Sequence, residues 1–238
     1  MTMNDARELP LIIELSGRAA SGKSTLRSEI EDAAKAAGHL VYDELWMGNP
    51  RELLWVWKFF LRYPFRFGNG LWLLLKKNGV VNVRALSKEI CQLLIVYGKI
   101  KRAEEFKGVS VIDEGISRRF PDNWKTLRIY PLERVRLILA YVYATPEQRW
   151  VRLVERYEKG KVGHLGYHQE SPDSPRLVDV HQELWRSLNE NERCEPIRVL
   201  FFENSTDADV KPNGERLIGE IRRLAPSADR FLFIYGRS

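Results

Sequence analysis

Apolar residues in this chain gather into short runs separated by stretches with helical spacing. The runs are Leu11–Leu15, the weaker Leu40–Tyr42, Val109–Ile112, Val135–Tyr143 and Ile197–Phe202. Near-continuous apolar runs of this length are the pattern of strands covered on both faces. Between them, Leu26, Ile30, Ala33, Ala34 and Ala37 recur at helical spacing up to Gly38, a residue suited to ending a helix. Thr145-Pro146-Glu147-Gln148 is a helix entry: Thr145 can cap, Pro146 fits the first turn and Gln148 can close a capping box. The helix it opens carries Trp150, Val151, Leu153, Val154 and Tyr157. Leu217, Ile218, Ile221 and Leu224 mark a further helix, stopped by Pro226. This alternation predicts an α/β fold, a parallel sheet with helices on both faces. A last run, Phe231–Tyr235, adds an edge strand or packs on the surface; the pattern does not choose.

The first strand leads into Gly17-Arg18-Ala19-Ala20-Ser21-Gly22-Lys23-Ser24, followed by Thr25, which fits G-x-x-x-x-G-K-[ST]. Strand, glycine loop and helix are what a phosphate cradle needs. Glycines let the backbone turn several N–H groups toward one anion, and the helix start adds partial positive charge. Lys23 is expected to reach the β- and γ-phosphates of a nucleoside triphosphate, and the Ser24 hydroxyl to hold Mg²⁺.

Composition narrows the partners. The 238 residues include 38 Lys and Arg against 32 Asp and Glu, a net charge of +6 that favours anionic ligands, a need a nucleotide already meets. The length suits a single domain, 1–238. Cys91 and Cys194 are distant and form no C-x-x-C, which argues against a disulfide framework or structural zinc and for a reducing compartment. Met1 to Pro10 carries no apolar signal core, and no window has the apolar length of a membrane span. A soluble, cytoplasmic protein is expected.

Two segments break the alternation. Residues 44–108 are far longer than a crossover requires, and 158–176, rich in Gly, Pro, Lys and His, reads as a loop able to act as a lid. Asp113 closes the third run, where a carboxylate beside the glycine loop would bind magnesium directly or through water. Glu114 is either a second ligand or the base that positions an attacking group. Arg149, Arg152 and Arg156 share one helix, with Lys159 and Lys161 beyond. Guanidinium groups stabilise the charge of a transferring phosphoryl group. Arg152 and Arg156 are the expected candidates, with Arg149 on a solvated face beside Glu147 and Glu155. His164 and His168 lie among glycines 163 and 166, with His181 further on, which argues against a rigid metal site.

In this order of motifs, the chain resembles the P-loop kinase group that includes thymidylate, deoxynucleoside and nucleoside monophosphate kinases. The residues that carry the resemblance are Gly17–Ser24, Asp113-Glu114-Gly115, Thr145-Pro146-Glu147 with Arg152-Leu153 and Arg156, and Phe202-Glu203-Asn204-Ser205. It covers essentially everything but 44–108, and only the first motif is specific. The resemblance implies a five-stranded parallel sheet in order 2-3-1-4-5, with 44–108 as a helical acceptor-binding insert and 158–176 as the lid. It also implies ATP and Mg²⁺ as cofactors and a loop from Asn204 to Asp207 against the adenine. Asp43 matches the carboxylate that contacts or deprotonates the acceptor hydroxyl in deoxynucleoside kinases, with Glu44 its neighbour. Those kinases carry an arginine directly after the third-strand acid. Here Glu114 and Gly115 stand there, with Arg118 and Arg119 further on, which puts a nucleoside or nucleotide acceptor in doubt.

The expected activity is transfer of the ATP γ-phosphoryl group to a small-molecule hydroxyl or phosphate, with Asp43 or Glu114 orienting the acceptor. Alternatives are a glycan or lipid-linked acceptor at a membrane surface, or a nucleic-acid end. The spread of basic residues among acids disfavours nucleic acid, and no N-K-x-D supports guanine reading. A homodimer is compatible with the sequence. Within the insert, Trp46, Trp55, Trp57 and Trp72 cluster, and Leu53–Leu61 is apolar nearly all round. The expectation is a buried helix pair packing the lobe on the sheet. The rivals are an aromatic acceptor groove and a peripheral membrane contact through 53–77, where Lys58, Arg62, Arg66, Lys76 and Lys77 would meet anionic lipid.

Overall fold

The computed structural model describes residues 9–44, 51–78, 83–113, 115–116, 129–160, 197–204, 206 and 209–234. Among the described residues six strands form one parallel sheet: β1 (Leu11–Ser16), β2 (Leu40–Glu44), β3 (Val109–Asp113), β4 (Arg136–Tyr143), β5 (Ile197–Glu203) and β6 (Arg230–Ile234). Their order is β2-β6-β3-β1-β4-β5. The helices are α1 (Lys23–Ala36), α2 (Arg51–Arg62), α3 (Pro64–Asn78), α4 (Val83–Phe106), α5 (Pro146–Glu158) and α6 (Val210–Leu224).

The α/β class is as expected, but the expected five strands in order 2-3-1-4-5 are corrected to six. The sixth is no edge strand: β6 sits between β2 and β3, in register with both. The physical reason lies in side-chain distribution. Phe231 and Phe233 bury on one face, Leu232 and Ile234 on the other. A strand apolar on both sides is best covered inside a sheet. The weaker β2, whose Leu40 is 57% and Tyr42 45% exposed, takes the edge instead.

Alternation along the strands builds two cores. Leu11, Ile13, Leu15, Val111, Ile138 and Ala140 pack beneath α1 and α6, with Leu26, Ile30, Leu217 and Ile221 from those helices. Ile12, Ile112, Leu137, Leu139 and Tyr141 pack on the opposite face with Leu93, Val96, Tyr97 and Ile100 of α4. Helix α4 is therefore the crossover that lies on the sheet, against β1, β3 and β6, while α2 and α3 pack on α4. The expected buried helix pair is corrected accordingly: Phe59, Tyr63 and Leu74 turn inward, but Trp57, Phe65 and Trp72 are 59%, 92% and 65% exposed. Tyr63 donates to the Glu104 carboxylate (2.8 Å), which also receives Lys101 (2.8 Å), tying the α2–α3 joint to α4.

Helix ends follow their sequence signals. At the end of α1, His39 N–H donates to the Ala34 carbonyl and Gly38 N–H to that of Lys35. Gly38 sits at φ +78°, and the two bonds make a Schellman closure. Thr145 caps α5 by accepting from the Gln148 N–H (3.4 Å), while Gln148 accepts from the Thr145 N–H (3.3 Å). Among the described residues no helix is long and apolar enough to cross a membrane.

Candidate functional site

The strand order switches sides at β1. Its neighbours are β3 on one side and β4 on the other, so a crevice opens at the carboxyl ends of these strands. The Gly17–Ser24 loop leaves β1 into this crevice. Two of its glycines are dictated by space as well as by backbone angle. A Cβ on Gly17 (φ +142°) would come within 2.2 Å of the Val142 carbonyl oxygen. One on Gly22 (φ +97°) would come within 2.2 Å of the Asn204 amide nitrogen. Ala20 also takes a left-handed angle, φ +60°.

The loop delivers the chain to α1, whose N-terminus differs from that of α5. Gly22 stands at the cap position and has no side chain to bond the first-turn N–H groups, and no acid lies in that turn. The positive end of the helix dipole is thus left open toward the crevice, whereas Thr145 and Glu147 satisfy α5. At Glu147, its own backbone N–H and the Thr145 hydroxyl hold the carboxyl below the usual range. Lys23, largely buried, folds back over the loop and donates to the carbonyls of Gly17 (2.8 Å) and Arg18 (2.9 Å). Ser24 and Thr25 face solvent, and Ser21 is buried, its hydroxyl without a partner among the described residues. Such an arrangement suits a polyanion.

Asp113 ends β3, in register with Leu15 just before the loop. Its Oδ1 is buried and has no hydrogen-bond partner among the described residues. A shielded carboxylate oxygen left without a donor fits a cation ligand, and Mg²⁺ characteristically takes one or two carboxylates together with phosphate oxygens. Ser24 and Asp113 together would be the residues to hold it. No cluster of three or more His, Cys, Asp or Glu able to hold a metal occurs among the described residues.

Helix α5 brings the arginines. Arg152 reaches across to the carbonyls of Ala20 (3.4 Å) and Asn204 (3.1 Å). Arg149 is the correction here: it lies on no solvated face but is 6% exposed, with Nε donating to the Ala19 carbonyl (2.9 Å). Burial, and then the nearby Arg18, lower its pKa, though a guanidinium stays charged at neutral pH. Arg156 lines a 280 Å³ cleft with Ala20, Gly22, Thr25, Arg152 and Asn204. Asn204 is 1% exposed and accepts from Asn213 Nδ2 (3.1 Å). The structure thus brings together Gly17 to Thr25, Arg152, Arg156 and Asn204.

The acceptor-side candidates are placed otherwise. Asp43 pairs with Phe233 of β6, so a whole strand intervenes and two strand spacings, about 9–10 Å of sheet, separate it from β3. Its side chain, like that of Glu44, lies outside what is described, and the residues Glu114, Arg118, Arg119, His164, His168 and nearly all of the expected lid lie outside the described residues altogether.

Three further residues escaped sequence reasoning. Glu14, an acid inside an apolar strand, is fully buried and accepts a short hydrogen bond from the Tyr130 hydroxyl. That pair fills the space above Gly115, where a Cβ would fall 2.4 Å from Glu14 Cδ. Burial and then the Glu14 charge push the Tyr130 hydroxyl well above its ordinary pKa. Lys99, 1% exposed, donates to the Asp113 carbonyl (3.1 Å) and so anchors the strand end that carries the orphan carboxylate. The signal for Glu14 was a lone acid between apolar neighbours; Lys99 is one basic residue among many in α4.

No family model matches the chain, and no curated protein matches it. Among solved structures it is similar to a candidate kinase from Chloroflexus aurantiacus, at 12% identity and a TM-score of 0.41 over 89% of this chain and 98% of that one. It is also similar to the protein APE1195, at 17% identity and a TM-score of 0.44 over 92% and 98% of the two chains. At these scores the likeness carries no weight for function.

Proposed function

We propose that the chain is a P-loop phosphotransferase that moves the γ-phosphoryl group of ATP to a small-molecule hydroxyl or phosphate. The observation that carries this reading is a juxtaposition: an uncapped helix start behind a glycine-dictated loop, beside the unpartnered Asp113 Oδ1. In this reading the loop amides and Lys23 bind the triphosphate, Lys23 exchanging its carbonyl partners for β- and γ-phosphate oxygens. Ser24 and Asp113 hold Mg²⁺, which supplies charge neutralisation at the phosphates. Asn204 and the cleft beside it accommodate the nucleoside. Arg156 and Arg152 neutralise charge on the group in transfer.

In transfer to an alcohol, the acceptor oxygen forms a bond to the γ-phosphorus as the bond to the β–γ bridging oxygen breaks. ADP leaves, and the hydroxyl proton passes to Asp43 or Glu114. Catalysis of this kind rests on positioning and charge rather than on covalent chemistry by the protein. The test is an ATP-consumption screen with magnesium over nucleosides, nucleotides, sugars, and glycan or polyprenyl acceptors. Acceptor-dependent ADP release that disappears in Lys23→Ala is the expected result. No acceptor dependence across the set, or an unchanged rate in the variant, contradicts it.

A further inference from the structure

Helices α2 and α3 carry apolar residues on two opposite sides. One stripe, Phe59, Tyr63, Gly70 and Leu74, is buried toward the core. The other, Leu54, Trp57, Leu61, Phe65, Trp72 and Leu75, recurs at steps of three, four and seven and is exposed throughout, from 39% at Leu75 to 92% at Phe65. The Tyr63–Pro64 joint keeps the stripe continuous: Tyr63 N–H bonds the Phe59 carbonyl, and Phe67 N–H bonds that of Tyr63. A monomer in water gains nothing from two tryptophans, a phenylalanine and three leucines aligned on its outer face.

Charge selects the occupant. Between Glu52 and Glu89 the sequence holds seven basic residues and not one acid. The rest of the chain has 31 basic and 32 acidic residues, so this segment accounts for the whole net positive charge. Lys58 and Arg66 are paired with Glu105 (3.2 Å) and Glu133 (2.6 Å). Arg62 and Lys76, next in sequence to Leu61 and Leu75, are exposed. A second copy pressed symmetrically against this face would meet the same surplus of positive charge with no acid from the segment to answer it. An anionic bilayer answers both features, taking aromatic and leucine side chains into its interface and basic groups at its headgroups.

We propose that the outer face of α2 and α3 docks the protein on an anionic lipid membrane. This rests on the surface alone and is independent of the phosphotransferase reading. Flotation of the full chain with vesicles of phosphatidylcholine alone, or with 30% phosphatidylglycerol added, tests it, ~30% being enough anionic lipid to give a strong surface potential. The triple variant Trp57→Ser, Phe65→Ser, Trp72→Ser changes exposed positions only, and its thermal melt is to be run beside it. The expected result is enrichment on anionic vesicles, weakened by salt and reduced at least tenfold in the triple variant at unchanged melting temperature. Lys76→Glu is expected to weaken it also. No enrichment of the wild type overturns the proposal, as does equal binding by the triple variant. So does light scattering that finds a wild-type dimer turned monomeric by the triple variant, since the face then belongs to a second copy.

Discussion

The amide of Asn204 occupies the space that a side chain on Gly22 would need, 2.2 Å from where its Cβ would stand. One contact thus couples the start of α1 to the end of β5, two elements far apart in sequence. Both residues line the same cleft.

Gly22→Ala must therefore displace Asn204 and also adopt a left-handed backbone. The strain alone is worth about 1–3 kcal/mol. The expected outcome is a lower melting temperature together with loss of ATP binding. Asn204→Ala relieves the contact without backbone strain, and is expected to weaken nucleotide binding more than it lowers stability. Thermal melts and titration calorimetry on the two variants check this.

The three arginines of α5 separate into two kinds. Arg149 is buried on the Ala19 carbonyl and Arg156 lines the cleft. Arg149→Ala removes a buried guanidinium and its bond to the partly buried Ala19 carbonyl, at about 1–3 kcal/mol, and is expected to lower stability and ATP affinity together. Arg156→Ala is expected to lower turnover by roughly 10²–10³-fold with the melting temperature unchanged. Steady-state kinetics beside thermal melts tell the two apart.

Asp113 offers a sharper contrast. A buried carboxylate oxygen without a partner is a desolvation cost in the free protein. Asp113→Asn is therefore expected to keep or raise stability in metal-free buffer while abolishing magnesium-dependent turnover. The wild type, and not the variant, is expected to gain melting temperature when ATP and magnesium are added together.

Alkaline pH probes the α4 face of the sheet. Burial raises the hydroxyl pKa of Tyr63, Tyr97 and Tyr130, with the Glu104 and Glu14 carboxylates adding to the effect at Tyr63 and Tyr130. The folded state keeps its protons where the unfolded chain loses them, near the ordinary value of 10.0. This contribution is complete below pH 10 and is lost as pH rises from there toward the folded values. Denaturant midpoints are expected to fall steeply above pH 10, and less steeply in Tyr130→Phe.

Much of this architecture was legible in the residues. All five runs from Leu11 to Phe202 became strands, four of them because an apolar run of that length needs cover on both faces, and the weaker Leu40–Tyr42 at the exposed edge. The Thr145–Gln148 cap and the Gly38 stop formed as their side chains and backbone freedom dictate. The place of β6 was not legible. Phe231 to Ile234 announces a strand, but which neighbours it takes depends on the whole sheet, where the polar-edged β2 cedes the inner position. Arg149 was misjudged for a related reason. Spacing on a helix gives the face but not what is packed against it, and the loop carbonyls that receive Arg149 come from 130 residues earlier in the chain. Glu14 and Lys99 illustrate the same limit: their roles are set by Tyr130 and Asp113, partners that only the fold brings near. The Gly17–Ser24 motif stands apart, because its spacing announces the loop by itself, although Val142 and Asn204, which also exclude a side chain at Gly17 and Gly22, come from far along the chain.

Titration calorimetry of ATP with magnesium into the wild type and into Lys23→Ala tests the central claim most directly. The account predicts saturable one-to-one binding by the wild type that needs magnesium and weakens at least tenfold in the variant, whose circular dichroism is unchanged. Absence of binding by the wild type at millimolar ATP, or equal affinity in Lys23→Ala, would contradict it.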